Sequence, residues 1–215
     1  MKRVLLSVLT AGLLFGHSVV CCAGAPDSEP VDGALLAAQH IPSIGQLMAA
    51  RRIRDQAGEH VLVLNRQAGP SPASPKSGRV EHIELHAAYY SRQHSGWIQD
   101  LTVRDLVDCP GLDLAADFFL SSITITDINR DGKAEVTIPY KLFCGGGIDP
   151  YTVKVILREG PLKLAIRGES EVRLTGQPAF GGGHDYDKAL LTPAYSAYKT
   201  HMDQIWTTVS ADIRR

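Results

Sequence analysis

Several signatures that announce a chemistry are missing from these 215 residues. There is no G-x-S-x-G elbow and no H-E-x-x-H pair, so the sequence carries neither of those hydrolase signatures. The glycine run Gly181-Gly182-Gly183 comes without a phosphate-binding lysine and without G-x-G-x-x-G, so no nucleotide is implied. Basic residues are not in excess: 22 Lys and Arg stand against 23 Asp and Glu, whereas a nucleic-acid partner wants a basic face. Beyond residue 20 no apolar run approaches the ~20 residues of a membrane span. Cysteine is scarce, at four residues, and aromatics make up 7%.

What is present begins with an export signal. Lys2 and Arg3 form a positive start, Val4 to Val20 an apolar run, and Ala23, Gly24 and Ala25 a small-residue cleavage region. Cleavage after Ala23 defines a signal peptide over 1–23, because cutting after Ala25 would set Pro26 against the scissile bond. The alternative is a lipid anchor through Cys21 or Cys22, although neither cysteine follows the small residue that lipidation prefers. The mature chain is then periplasmic or secreted, with a net charge of about −3. Its two remaining cysteines, Cys109 and Cys144, read as a disulfide in an oxidising compartment. The other reading is two buried thiols that never meet.

Residues 24–33 are polar and turn-forming and read as a flexible N-terminus, followed by one globular domain over 34–215. Ala34 to His40 is a short helical stretch, and Ser43 with Gln46 has the form of a capping box weakened by Gly45. Met48 to Arg54 and His60 to Asn65 flank a turn at Asp55-Gln56-Ala57-Gly58. The stretch 69–78 (GPSPASPKSG) is loop. Arg79 to Arg92 alternates as a strand, and Trp97 to Val107 suits strand or helix. Leu114 to Thr126 and Ala134 to Phe143 form a central hairpin, in which Pro139 predicts a sheet edge or a bulge. Tyr151 to Arg158 and Leu162 to Arg167 form another, turned by Glu159-Gly160-Pro161. The last element is a helix with Thr192 as N-cap and Pro193 at its first position. Tyr195, Tyr198, Met202, Ile205, Trp206 and Val209 make its apolar stripe. The fold class is α+β: a mostly antiparallel, meandering sheet with a C-terminal amphipathic helix packed on it.

Inside the central hairpin, Asp127, Asn129, Asp131, Gly132 and Glu135 follow D-x-N-x-D-G-x-x-E. Oxygen ligands at alternate positions, a glycine for the sharp turn and the Lys133 carbonyl suit a hard cation, with Ca²⁺ fitting its flexible geometry better than Mg²⁺. Position twelve of an EF-hand falls on Ile138, so Glu135 must close the cage instead. The alternative is a metal-free turn in which Asp127 and Asp131 accept backbone N–H groups. Arg130 and Lys133 weaken the local field, which predicts an affinity of ~10⁻⁴–10⁻³ M. The nine residues resemble the calcium loops of FG-GAP repeats, and dockerin loops share their opening. With its flanks, ITITDINRDGKAEVTIPYKLFC followed by VKVILREGPLKLAIRG resembles a family of exported bacterial proteins, some described as acting in surface-polysaccharide biosynthesis. That resemblance spans roughly Cys109 to Gly168 and brings no catalytic set; it implies an envelope address.

Other groupings are weaker. His82, Glu84 and His86 share one strand face and could hold a transition metal, but a solvated face is the stronger reading. His184 and Asp185 beside the glycine run suit a flexible loop better than a general-base pair. Cys144 beside Gly145 and Gly146 reads as a disulfide partner rather than a nucleophile. Tyr89, Tyr90 and Trp97 could offer a stacking platform for sugar rings. The expectation is an exported, non-catalytic envelope protein with a structural Ca²⁺ loop, binding or scaffolding near surface polysaccharide or an envelope protein. The alternative is an envelope carbohydrate hydrolase drawing its acids from Glu169, Asp185 and Asp187.

Overall fold

Long strands with apolar residues on both faces need a covering layer on each side, and that requirement decides the architecture. The structure is a computed structural model and describes residues 26–72 and 80–214. Residues 1–23, read as a signal peptide and including Cys21 and Cys22, and most of the loop 69–78 lie outside the described residues.

Two antiparallel sheets face each other. The first runs in chain order through β1 (Asp27–Pro30), β2 (Gln46–Asp55), β3 (Gly58–Pro70), β4 (Glu81–Gln93) and β5 (Gly96–Cys109). The second contains β6 (Asp113–Phe118), β7 (Thr124–Thr126), β8 (Glu135–Gly145), β9 (Thr152–Glu159), β10 (Leu162–Glu169) and β13 (His184–Tyr186). Its order is β13-β10-β9-β8-β6, with β7 also paired to β8. A small third sheet sets β11 (Glu171–Leu174) between β12 (Phe180–Gly181) and β14 (Ala211–Arg214), where β11 and β14 run parallel.

Residue parity divides the core. Leu62 and Leu64 of β3, Leu85 and Ala87 of β4, and Val136 and Ile138 of β8 meet between the sheets. Each large side chain buried there contributes about 1.5–3 kcal/mol relative to exposure. Val61 and Val63 point the other way, beneath Leu36 of α1 (Gly33–Ala38) and Ile41. Val153, Val155, Leu157, Leu164 and Ile166 form the outer face of the second sheet. They lie beneath Met202, Ile205, Trp206 and Val209 of α2 (Ser196–Val209). The antiparallel sheets and the C-terminal helix on them are the α+β arrangement that the residue pattern predicts.

Four local expectations change. Residues 27–30, within the stretch read as a flexible N-terminus, form β1, paired with β2 and tied by Glu29 to Arg52 and Arg54. Ser43 caps no helix: Gly45 turns with φ 78°, β2 begins at Gln46, and the Ser43 hydroxyl accepts from Asn65. The Thr192-Pro193 start opens a short 3₁₀ turn, with the Thr192 hydroxyl donating to the Ala189 carbonyl, and α2 proper begins at Ser196. Pro139 lies in an interior strand rather than at an edge. Its missing N–H faces the break where β6 ends opposite Tyr140 and β7 resumes opposite Thr137, so no ladder bond is lost.

Candidate functional site

The loop between β7 and β8 is held by its own side chains. Gly132 N–H donates to Asp127 Oδ2 (3.0 Å), Asp131 N–H to Asn129 Oδ1 (3.0 Å), and Lys133 N–H to Asp131 Oδ1 (2.9 Å). Arg130 (φ 61°) and Gly132 (φ 82°) supply the left-handed steps that curl the backbone. Glu135 is fully buried and accepts from Ile128 N–H (2.8 and 3.0 Å), Asn129 N–H (3.4 Å) and the Thr126 hydroxyl (3.0 Å). A carboxylate with that many donors is a clamp on the loop as much as a ligand.

One oxygen is left over. Asp127 Oδ1 is shut off from solvent and has no hydrogen-bond partner. A buried carboxylate oxygen without a partner costs free energy unless something positive meets it. Glu159, at the end of β9, faces the same loop and accepts from Asn129 Nδ2 (3.4 Å) and the Tyr198 hydroxyl (3.1 Å). Burial, with the nearby charges of Asp131 and Glu135, raises the Glu159 carboxyl above its ordinary range, against the Tyr198 bond that lowers it. The donor set is hard and oxygen-rich, the kind Ca²⁺ takes, while the Asp127 and Asp131 bonds to backbone N–H are also those of the metal-free turn. Among the described residues, no three His, Cys, Asp or Glu side chains converge as a metal cluster.

The turn between β2 and β3 docks on this loop. Asp55 Oδ1 accepts from Ala57 and Gly58 N–H (2.7 and 3.1 Å), and its Oδ2 accepts from Ala134 N–H (2.8 Å). Gln56 N–H donates to the Gly132 carbonyl (2.8 Å). Next to that contact, at the open end of the sandwich, lies a cavity of about 450 Å³. Tyr89, Leu101 and Ala134 form its apolar wall, and His60, Ser91, Asp100, Lys133, Arg158 and Glu159 its polar rim. His60 Nδ1 lies 2.6 Å from Ser91 Oγ and its Nε2 3.1 Å from Asp55 Oδ1, with the ring stacked on Tyr89. Ser91 also donates to Asp100. Asp100 is the extra residue of a β-bulge, since Tyr89 pairs with Leu101 and Tyr90 with Gln99. The Asp55–His60–Ser91 connectivity is that of an orienter, base and nucleophile. Ser91 sits between the imidazole and the Asp100 carboxylate, so its hydroxyl has two competing acceptors.

The remaining predicted residues are dispersed. Cys109 and Cys144 form a disulfide (S–S 2.10 Å) that joins the end of β5 to the end of β8. His82 Nδ1 pairs with Asp108 (2.8 Å) and Glu84 takes a two-pronged bond from Arg104 (2.5 and 2.7 Å), so that face is an ion-paired surface. Tyr89, Tyr90 and Trp97 do not form a platform. Tyr89 faces the inter-sheet core, Tyr90 the opposite face, and Trp97 donates to Gln39 beside α1. Asp187 pairs with Arg167 (2.5 Å), Glu169 and Asp185 are exposed, and the cavity is lined by other residues. His184 packs on Tyr186 and Trp206 and bonds the Tyr186 hydroxyl (3.1 Å). Residue reasoning overlooked His60, Asp100, Arg158 and Glu159, which come together only through strand pairing and a bulge.

No family model, curated protein or solved structure matches the chain.

Proposed function

We propose that this is an exported, non-catalytic cell-envelope protein that binds or scaffolds near surface polysaccharide, braced by a structural Ca²⁺ in the Asp127–Glu135 loop. The observation that carries the calcium reading is Asp127 Oδ1, buried and unpartnered in a loop whose Asn129, Asp131 and Glu135 side chains accept backbone N–H groups. The Asp127, Asn129, Asp131 and Glu135 side chains and the Lys133 carbonyl would hold the ion, with Glu135 sharing oxygens already bonded to the backbone. The ion would supply charge compensation and stiffness, not a reaction. A disulfide between the sheets supports the exported reading.

A melt with and without calcium tests this. At about 10 mM Ca²⁺ and the affinity of ~10⁻⁴–10⁻³ M, linkage stabilises by about 1.4–2.7 kcal/mol. In a chain of this size that is a rise of roughly 3–10 °C in Tm. Asp127→Asn should abolish the rise while leaving the calcium-free melt nearly unchanged, because an amide still accepts from Gly132 and fills the orphan position with N–H. Equal melts of the wild type in calcium and in chelator would refute the ion.

A further inference from the structure

Arg158 extends from β9 to the rim of the 450 Å³ cavity. Its Nε is closed to solvent and unpartnered, and no hydrogen bond or ion pair reaches its guanidinium among the described residues. Arg51 and Arg52 also have an inaccessible Nε, but they reach Ser28 and Glu29 through their other nitrogens. Burial lowers the Arg158 pKa, as removing a cation from water without compensation must. A half-buried, unpaired guanidinium beside a cavity large enough for a small molecule is arranged for an anion that arrives from outside.

The rim narrows the class of anion. Asp100 and Glu159, added to Asp55, would repel a dianion more than a monoanion, whereas one planar guanidinium, with Lys133 also lining the cavity, matches a single carboxylate. Asp100 and Glu159 are also acceptors for hydroxyl groups, and Ser91 is a further polar contact. Tyr89 and Leu101 supply an apolar wall for a ring. We propose that this cavity binds an acidic sugar of the uronate class, with its carboxylate on Arg158 and Lys133 and its hydroxyls on Asp100 and Glu159. This rests on the polysaccharide-binding reading for the source of the ligand, but not for the site itself.

The test is calorimetric titration of the full mature chain with glucuronate, glucose and glucose 6-phosphate, repeated with Arg158→Met and Arg158→Lys. Glucuronate should bind, glucose and the phosphate more weakly. Loss of a charge-assisted bidentate contact in Arg158→Met should weaken glucuronate about 10–100-fold. Arg158→Lys, which keeps the charge and loses the fork, should lie between. Neither variant loses a native partner, so both should melt at or above the wild-type temperature. Absence of glucuronate binding, or binding that survives Arg158→Met, overturns the site. Passage over immobilised polygalacturonate separates the two readings. Equal retention of wild type and Arg158→Met, together with a glucuronate affinity that the substitution leaves unchanged, keeps polysaccharide binding and rejects this site. Glucuronate binding through Arg158 without retention keeps the site and rejects the polymer.

Discussion

Removing the bridge between Cys109 and Cys144 is the perturbation whose size follows most directly from the architecture. The half-cystines are 35 residues apart, and the loop they close contains β6, β7, the acidic loop and nearly all of β8. Cross-linking ends that far apart withdraws about 4 kcal/mol of loop-closure entropy from the unfolded chain. Cys109 is 1% exposed at the end of β5 and Cys144 is at the surface. Replacing both by alanine therefore removes the cross-link and little packing. The double variant Cys109→Ala/Cys144→Ala should melt roughly 8–16 °C below the oxidised wild type. Its melt should be insensitive to reductant, and reduced wild type should fall to a similar temperature. The urea m-value should rise in the double variant, because the uncross-linked chain exposes more surface when unfolded. A Tm drop of under about 2 °C with an unchanged m-value would refute the reasoning. It would mean that β6 and β8 stay associated in the denatured ensemble, so that the sulfur bridge closes nothing that was open.

Two further perturbations address the loop and the helix. Gly132→Ala should destabilise by about 1–2 kcal/mol, since φ 82° disfavours a Cβ and the added atom would meet the Gln56 amide; chemical denaturation reads this, and a neutral result would show that the turn can relax. His201 on α2 faces the Thr124 and Thr137 hydroxyls (3.0 and 3.2 Å), and burial lowers its pKa. The folded state then favours the neutral ring, so its contribution is present above about pH 6.5 and is lost as pH falls through the lowered value. His201→Gln should flatten that slope in Tm between pH 7 and pH 5, and an unaltered slope would assign it to other groups.

How much was legible follows from the range of each interaction. The Asx-type bonds of Asp127, Asn129 and Asp131 span two to five residues, so the D-x-N-x-D-G spacing encodes them directly. Strands and the C-terminal helix were readable from period, because Leu62 with Leu64 and Met202 with Ile205 mark one face each. The partner of β1 was not, because Asp27–Pro30 is polar and owes its pairing to arginines more than twenty residues away. The cavity was illegible for the same reason. Its rim draws on the β2–β3 turn, a bulge in β5 and the end of β9, and only the pairing register brings His60 opposite Ser91. Glu135 shows the limit of motif reading: the spacing identifies an oxygen ligand, while the fold gives those oxygens to Ile128, Asn129 and Thr126.

The loop and the cavity share a wall, and this links the two proposed binding events. Lys133 belongs to the acidic loop and also lines the cavity, and Ala134 N–H is held by Asp55, which also holds His60. Glu159 is the hinge of the electrostatics, facing Asp131 and Glu135 on one side and the cavity on the other. A divalent ion beside Asp131 would remove negative potential from the path of an incoming carboxylate at the neighbouring cavity. Linkage then requires the anion to strengthen calcium binding by the same factor. Glucuronate titrations with and without calcium would expose that reciprocity, and identical affinities in both would mean that the two sites are neighbours without being coupled.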